Sequence, residues 1–209
     1  DGYIVPKNDQ FFGEYIPNHL DRLKYISGFS GSYGFALITK SKNFLFVDGR
    51  YTIQATKQCG GLFKVITIPN QLPADILKNK KLKIGFDPKL FTKKSLNIFF
   101  GKTDCQYIPL SENLIDKIWI RKKNIFKNKF YKLPNSSIGE DYKLKLNKII
   151  LELKKNKADF KFITASENNA WLLNIRGSDS KYTPIPYSYI LIDRKKNINF
   201  YCNLNKISS

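Results

Sequence analysis

The 209-residue sequence is poor in the side chains that usually carry catalysis. It contains no methionine, a single histidine (His19) and three cysteines that lie far apart, at positions 59, 105 and 202. Hydrolytic metal sites need several His and carboxylate ligands close together, and a nucleophilic Ser or Cys usually needs a neighbouring base. The sequence therefore predicts no metal site and no catalytic residue, and His19 is predicted to be a loop or core histidine.

Long apolar runs and closely spaced cysteines are also missing. No stretch approaches the roughly 18 apolar residues of a membrane span, so we expect no membrane contact. An odd number of scattered cysteines fits a reducing cytoplasm better than a disulfide-linked secreted domain. Because a native chain begins with methionine and this one contains none, we expect Asp1 to lie inside a longer polypeptide.

Acidic residues are outnumbered, 17 against 36 basic ones, which gives a formal net charge of +19 and invites a nucleic-acid hypothesis. Only five of the basic residues are arginines. The lysines are spread along the chain and accompany many Asn, Ile and Phe, as A/T-rich codons would produce. We expect a solvated lysine surface, and nucleic-acid binding stays as an alternative for the denser stretch from Arg121 to Lys132.

The most distinctive feature that is present is a phrase that occurs twice. Residues 25–32 and 171–178 each lead into two short apolar runs, 35–39 with 44–47 and 189–193 with 198–202. A repeat at this distance is typical of two tandem copies of one domain. Glycines 28, 31 and 34 are predicted to be tight backbone positions. Comparison of the copies predicts that a leading helix precedes residue 1 and that half a domain follows residue 209.

The order of the other segments predicts an α/β protein, because short apolar strands alternate with helical patterns. The predicted strands are 63–68, 83–86, 105–108 and 160–164, and the predicted helices are 51–58, 73–78, 92–100, 113–119 and 141–155. Residues 1–120 form the predicted first domain, 121–137 a basic linker and 138–209 the N-terminal half of the second domain.

The turn Asp48–Tyr51 is the sharpest candidate site. Asp48 and Arg50 end an apolar strand, where α/β sheets commonly place ligands, and arginine offers a fixed fork of donors for a carboxylate or carbonyl. The alternative is an Asp–Arg pair that caps the following helix and holds the turn. Arg176 and Asp179, at the predicted matching turn of the second copy, carry the same two interpretations.

Several segments together resemble the N-terminal domain of the Xaa-Pro aminopeptidase (aminopeptidase P) family, in its long three-domain form. They follow the family's order and cover nearly the whole chain: Asp1–Pro6, Glu14–Ile16, Ile26–Ser32, Asp48–Tyr51, Glu112–Trp119 and Ala170–Asp179. The resemblance implies a creatinase N-terminal domain-like fold, a mixed β-sheet flanked by helices, followed by an incomplete second copy.

The resemblance also implies where the chemistry lies. Catalysis in the family resides in a further domain, in which two divalent metals, usually Mn²⁺, activate the water that attacks the Xaa-Pro bond. No metal ligand of that domain matches this chain, so the chain alone is expected to be inactive and without a cofactor. Carried over from the family, Arg50 becomes a substrate-side contact and Asp48 its orienting partner.

Two functions therefore stay open besides nucleic-acid binding. The first is the non-catalytic N-terminal region of a cytoplasmic Xaa-Pro aminopeptidase, which acts on peptides with proline in second position. That region would shape substrate access and contribute to a homodimer. The second is a catalytically inactive protein-binding module, because this fold also occurs in inactive relatives.

Overall fold

The structure is a computed structural model that describes residues 1–121 and 128–207. The described residues form two compact units. The first comprises Asp1–Gln10 and the residues from Asn18 to Arg121, and the second comprises Phe11–Pro17 and the residues from Asn128 to Ile207. Residues 122–127, which belong to the predicted linker, lie outside the described residues.

The first unit is built around a six-stranded mixed sheet. Its elements are β1 (Gly2–Pro6), α1 (Arg22–Ser27), β2 (Gly34–Thr39), β3 (Asn43–Asp48), α2 (Thr52–Gln58), β4 (Lys64–Ile68), α3 (Pro73–Leu77), β5 (Lys83–Phe86), α4 (Lys93–Phe100), β6 (Gln106–Pro109) and α5 (Leu114–Ile118). Across the sheet the order is β4-β3-β2-β1-β5-β6. β2 pairs antiparallel with β1 and β3, whereas β4, β5 and β6 are added in parallel. The predicted mixed sheet flanked by helices is confirmed.

Both faces of this sheet are covered, because successive side chains along a strand point to opposite faces. In β2, Phe35 and Leu37 belong to a core cluster that includes side chains of α3 and α4. Ala36, between them, belongs to a second cluster with side chains of α1, α2 and α5. The apolar run of β2 is continuous in sequence because both of its faces are buried.

Most element bounds lie within two residues of the predicted ones. Thr92 is the N-cap of α4, and its Oγ1 accepts the amide hydrogen of Ser95 at 3.0 Å. The predicted helix 51–58 differs at its start, because Gly49–Tyr51 forms a short 3₁₀ turn and α2 begins at Thr52. The capping side chain of Asp48 imposes this tighter turn.

The second unit contains two small antiparallel sheets. Its elements are β7 (Tyr131–Lys132), α6 (Tyr142–Lys155), β8 (Phe160–Ile163), α7 (Ser166–Leu173), β9 (Ile175–Arg176), β10 (Ser188–Asp193) and β11 (Ile198–Cys202). One sheet has the order β11-β10-β8, and β7 pairs with β9 in the other. On the inner face of α6, Leu146, Ile150 and Leu153 recur at helical spacing and are buried against Leu172.

One position on α6 departs from that pattern. Lys145 is 5% exposed, and its Nζ donates to the carbonyl oxygen of Trp171 and to Oδ1 of Asn174, both at 2.6 Å. Burial lowers the pKa of Lys145. Asn174 ends α7 in a left-handed conformation, with φ of 54°. The lysine therefore satisfies acceptors that the end of that helix leaves open.

The predicted repeat is present as a repeated order of elements. The order β1-α1-β2-β3 in the first unit corresponds to β8-α7-β10-β11 in the second. The central strand, β2 in the first unit and β10 in the second, pairs antiparallel with both of the other strands. Each hairpin contains five residue pairs. The pair farthest from the connecting turn is Gly34 with Val47 in the first hairpin and Ser188 with Cys202 in the second. This register establishes which residues of the two units are equivalent.

The segment Phe11–Pro17 packs within the second unit, although it precedes α1 in the chain. The ring of Phe11 stacks on Tyr187 and Tyr189, with centroid distances of 4.4 and 5.2 Å. The Oη of Tyr187 donates to the carbonyl oxygen of Tyr15 at 3.2 Å. No local pattern in residues 8–15 signals this packing, because the aromatic partners lie more than 150 residues away.

Strand β7 lies inside the segment that the sequence predicts to be a linker. Tyr131 pairs with Arg176 and Lys132 with Ile175. The basic, proline-ended composition of the segment 121–137 gave no strand signal there. The pairing is supplied by β9 and not by local propensity.

Candidate functional site

The turn Asp48–Tyr51 lies at the carboxyl end of β3. This strand runs parallel to β4, and Asp48 lies opposite Ile68 in the register. The carboxyl ends of two parallel strands therefore meet at this edge of the sheet, the kind of edge at which α/β sheets bind ligands. The Oγ1 atoms of Thr52 and Thr67 lie 2.9 Å apart and connect the start of α2 to β4.

Asp48 both caps the turn and holds the side chain of Arg50. Its Oδ1 accepts the backbone amide of Arg50 at 2.9 Å and the Nε of the same residue at 2.8 Å. Its Oδ2 accepts one terminal amino group of Arg50 at 3.4 Å. One carboxylate thus fixes both the backbone of the turn and the plane of the guanidinium.

The pair is charged and faces solvent. The hydrogen bond from the Arg50 side chain lowers the pKa of Asp48, and the same bond raises the pKa of Arg50. The side chains are 35% and 72% exposed, so the pair itself adds little to stability. Among the described residues, Nη1 of Arg50 has no hydrogen-bond partner, and its outer edge can bind a carboxylate or a carbonyl oxygen.

Tyr51 ties the turn to the glycine-rich segment that follows α1. Its Oη lies 2.8 Å from Oγ of Ser32, and its ring meets Phe29 edge-on at a centroid distance of 5.9 Å. A Cβ atom at Gly31 would lie 2.2 Å from the ring of Phe29 and 3.0 Å from that of Tyr51. Only glycine allows the backbone to approach both rings so closely.

Two glutamines of α2 hold the same segment from the other side. The Nε2 atoms of Gln54 and Gln58 both donate to Oγ of Ser30 at 2.9 Å, and the amide of Ser30 donates to Oε1 of Gln58 at 2.9 Å. Gly28 ends α1 with φ of 73°, a left-handed conformation that favours glycine. These glutamines were not predicted from the sequence, although their i, i+4 spacing on one face of α2 was an available signal.

Tyr33 is a further neighbour that the sequence analysis missed. It directly precedes β2, whose first residue pairs with the residue before Asp48. Burial raises the pKa of Tyr33, and the negative charge of Asp48 adds to the shift. The ring is still 46% exposed. The site therefore presents an exposed aromatic side chain close enough to Asp48 to sense its charge.

Arg176 and Asp179 do not form a second copy of this site, and their prediction as the matching turn is wrong. An Nη1 of Arg176 donates to the carbonyl oxygens of Ala170 and Ile175, at 3.1 and 2.9 Å. The carboxylate of Asp179 accepts the amide of Tyr187 at 2.7 Å and forms a buried ion pair with Lys206. Both residues are engaged in holding the second unit together.

The register places the true equivalent of the candidate turn after β11. Val47 and Cys202 are equivalent, because each belongs to the strand pair farthest from its hairpin turn. The residues that follow them, Asp48 and Asn203, are therefore equivalent as well. Oδ1 of Asn203 accepts the amide of Asn205 at 3.0 Å, and Leu204–Lys206 forms a 3₁₀ turn. The second unit therefore builds the same turn with two asparagines and without an Asp–Arg pair.

A second polar cluster lies elsewhere in the first unit. The guanidinium of Arg22 donates two hydrogen bonds of 2.7 Å to the carboxylate of Asp116, which also pairs with Arg121. Burial opposes ionisation of Asp116, but these hydrogen bonds outweigh it and lower its pKa. Arg22 and Asp116 line a cavity of about 510 Å³. The cluster joins α1 to α5, and the sequence analysis missed it because the residues are 94 positions apart.

His19, the single histidine of the sequence, makes a backbone contact. Its carbonyl oxygen accepts a hydrogen bond from Nε of Arg121 at 2.7 Å. Within residues 1–121 and 128–207 there is no group of three or more His, Cys, Asp or Glu side chains that could hold a metal ion. Across the same residues, no helix has the length and apolar character to cross a membrane. Residues 122–127, half of the basic stretch from Arg121 to Lys132, lie outside the described residues.

Two family comparisons identify the class of this fold. Residues 1–118 match the creatinase/prolidase N-terminal domain, and residues 121–209 match a second family model of the same description. The chain belongs to the creatinase/prolidase N-terminal domain family.

Sequence comparison with individual proteins shows which enzymes the chain is similar to. Xaa-Pro aminopeptidase 1 of Dictyostelium discoideum is 35% identical over 93% of this chain, and Xaa-Pro aminopeptidase 2 of Homo sapiens is 30% identical over 99%. These matches cover 34% and 32% of the two relatives, so the chain spans about a third of their length. The chain corresponds to the N-terminal region of Xaa-Pro aminopeptidases.

A solved structure agrees with the sequence comparisons. The X-prolyl aminopeptidase of Caenorhabditis elegans, described as a cytosolic enzyme with a di-nuclear active site, superposes with a TM-score of 0.90. It is 29% identical in sequence, and the superposition covers 100% of this chain and 35% of that enzyme. The creatinase-like fold expected from the sequence is therefore confirmed for the described residues.

Proposed function

We propose that this chain is the non-catalytic N-terminal region of a metal-dependent, cytoplasmic Xaa-Pro aminopeptidase, which removes an N-terminal residue that precedes a proline. The names of the relatives and of the C. elegans enzyme support the reaction class. In this proposal residues 1–120 and 138–209 belong to two creatinase-like domains connected by residues 121–137. The region shapes access of peptides to the active site and contributes to a homodimer.

The catalytic metals belong, in this proposal, to the part of the enzyme outside the matched region. Two divalent ions, Mn²⁺ by family resemblance, would activate the water for hydrolysis. The described residues of this chain lack a ligand cluster that fits such ions. The chain's own contribution is therefore binding and orientation of the substrate.

Arg50 is the residue that we assign to substrate binding, with Asp48 orienting it. The observation that carries this assignment is the turn at Asn203, which forms without either charge. Capping of the turn requires an oxygen at position 48 but does not require an arginine at position 50. We therefore assign the guanidinium of Arg50 a role other than formation of the turn. Its free edge matches a peptide carbonyl or carboxylate, and Asp48 holds its plane in one orientation.

Comparison of two proteins tests the reaction class. The 1–209 protein and the natural longer polypeptide that contains it are each supplied with Mn²⁺ and a Xaa-Pro-Xaa tripeptide, and release of the first amino acid is measured. We expect turnover by the longer polypeptide alone. Turnover by the 1–209 protein would contradict the assignment of catalysis to another region. Absence of turnover from both would favour the protein-binding module.

A further inference from the structure

Two different side chains hold the guanidinium of Arg50. The carboxylate of Asp48 accepts hydrogen bonds at its edge, one of 2.8 Å from Nε and a longer one of 3.4 Å from a terminal amino group. The guanidinium also lies over the ring of Tyr51, with 5.4 Å between Cζ of Arg50 and the ring centroid. A cation within about 6 Å of an aromatic centroid is attracted to the electron-rich face of the ring. The ring contact therefore adds to a hydrogen-bonded pair that has one short and one long bond.

The ring of Tyr51 is itself fixed within the first unit. Its Oη lies 2.8 Å from Oγ of Ser32, and the fully buried ring of Phe29 meets it edge-on. A Cβ atom at Gly31 would lie only 3.0 Å from it. The side chain of Arg50, by contrast, is 72% exposed, and a side chain that exposed has many rotamers available unless its neighbours restrict it. Tyr51 thus gives an exposed arginine a half-buried, fixed support.

The second unit shows which part of Tyr51 serves the turn alone. By strand register, Lys206 is the equivalent of Tyr51. Lys206 forms a buried ion pair with Asp179, which directly follows the counterpart of Ser32 in the repeated phrase. Both turns are therefore tied through their fourth residue to the segment that follows the preceding helix. The arginine and the aromatic ring, however, occur together in the first turn and are both missing from the second, residues 203–206.

We propose that Tyr51 is the positioning residue for Arg50. Its hydroxyl ties the turn to the glycine-rich segment, and its ring holds the guanidinium in the orientation that receives the substrate. This inference rests on the proposed role of Arg50 in substrate binding. An arginine that is restricted before binding loses less entropy when the substrate orders it. The ring acts through binding by Arg50, so its removal raises KM and leaves kcat unchanged.

Two substitutions at position 51 separate the ring from the hydroxyl. Tyr51→Phe and Tyr51→Leu both remove the hydroxyl, but only Tyr51→Leu removes the ring. In hydrolysis of a Xaa-Pro-Xaa tripeptide by the natural longer polypeptide, Tyr51→Leu should have a KM about two- to fivefold above that of Tyr51→Phe, with equal kcat. Tyr182→Leu is the matched control, because Nζ of its neighbour Lys181 lies 5.0 Å from the Tyr182 ring in another exposed pair. It should leave both constants unchanged.

The same two substitutions in an Arg50→Asn background test whether the ring acts through the arginine. There Tyr51→Leu and Tyr51→Phe should give the same KM, because no guanidinium is left to position. A KM ratio that is the same with and without the arginine would overturn the proposal and make Tyr51 a substrate contact in its own right. Equal KM values for the two variants while Arg50 is present would overturn it as well.

NMR relaxation of the unmodified 1–209 protein gives a second reading that needs neither a substrate nor a variant. The Nε–H group of Arg50 should be ordered, with an order parameter above about 0.6. A flexible Arg50 would overturn the positioning role of Tyr51 and leave the proposed function standing. An Arg50→Asn enzyme with unaltered kcat/KM would instead overturn the proposed function, whatever the order of the side chain.

Discussion

Asn203 occupies in the second unit the position that Asp48 occupies in the first. Each side chain accepts the backbone amide two residues further on, at 3.0 and 2.9 Å, and each begins a 3₁₀ turn. The protein thus contains an internal comparison in which the same turn forms with and without ionic groups. It separates the capping oxygen, which the turns of both units have, from the guanidinium, which only the turn of the first unit has.

That comparison predicts how the turn responds to substitution. Asp48→Asn and Arg50→Asn should leave the thermal unfolding midpoint of the 1–209 protein unchanged, because asparagine at both positions is what the second unit uses. Asp48→Ala should lower the midpoint, since it removes the acceptor for the backbone amide. If Arg50→Asn were as damaging as Asp48→Ala, the charge pair would be holding the turn and the functional assignment would lose its support.

A buried ion pair predicts a larger effect in the second unit. The side chains of Asp179 and Lys206 are 3% and 5% exposed. Asp179→Asn keeps an acceptor for the amide of Tyr187 but removes the negative charge of the buried ion pair with Lys206. We expect a loss of about 3–5 kcal/mol in the free energy of unfolding, measured by urea denaturation.

The exposed pair of Asp159 and Arg194 provides the control for this experiment. Their side chains are 67% and 46% exposed. Asp159→Asn makes the same chemical change in the same unit but at the surface, and it should cost less than about 1 kcal/mol. Equal losses for the two variants would show that burial of the Asp179–Lys206 pair has no energetic consequence.

Acid should weaken the first unit through Asp116. Because Arg22 and Arg121 lower the pKa of this carboxyl below its ordinary 3.8, its ionised form stabilises the folded state above that value. The contribution is lost as the pH falls through the lowered pKa, when the folded protein takes up the proton. Asp116→Asn should therefore be less stable than the unmodified protein at pH 7, and the difference should shrink below about pH 4. A difference that stays constant from pH 7 to pH 2 would contradict this.

Close packing at Gly31 predicts a steric effect beside the candidate site. Gly31→Ala would push a Cβ to 2.2 Å from the ring of Phe29, and we expect a loss of about 1–3 kcal/mol in urea denaturation. A Cβ at Gly139 would meet no atom within 4 Å, so Gly139→Ala is the matched control and should be neutral or slightly stabilising. If both alanines were tolerated equally, the segment would be free to move away from Tyr51.

Much of the fold could be predicted from the sequence because its signals are local. Alternating apolar runs, the N-cap Thr92 and the apolar spacing of α6 depend on residues close together in the chain. The repeated phrase added the prediction of two tandem copies of one domain. Buried charges could not be predicted this way, because Arg22 finds Asp116 and Lys145 finds Asn174 only after folding.

The candidate site was predictable in part. An Asp and an Arg at a strand end indicated the turn, and the family resemblance indicated its role. The equivalence of Asp48 with Asn203 could not be predicted from the sequence. The repeated phrase led instead to Arg176 and Asp179 as the predicted matching turn. Strand register, which only the structure supplies, decides which turn is equivalent.

Steady-state hydrolysis of a Xaa-Pro-Xaa tripeptide by the natural longer polypeptide tests the role of Arg50 most directly. Arg50→Asn copies the turn of the second unit and removes only the guanidinium, while Arg194→Asn removes an exposed arginine far along the chain. We predict that Arg50→Asn lowers kcat/KM about tenfold or more, chiefly through KM, with the unfolding midpoint unchanged. Arg194→Asn should leave both constants unchanged. An Arg50→Asn enzyme with unaltered kcat/KM would contradict the proposal that this arginine contacts the substrate.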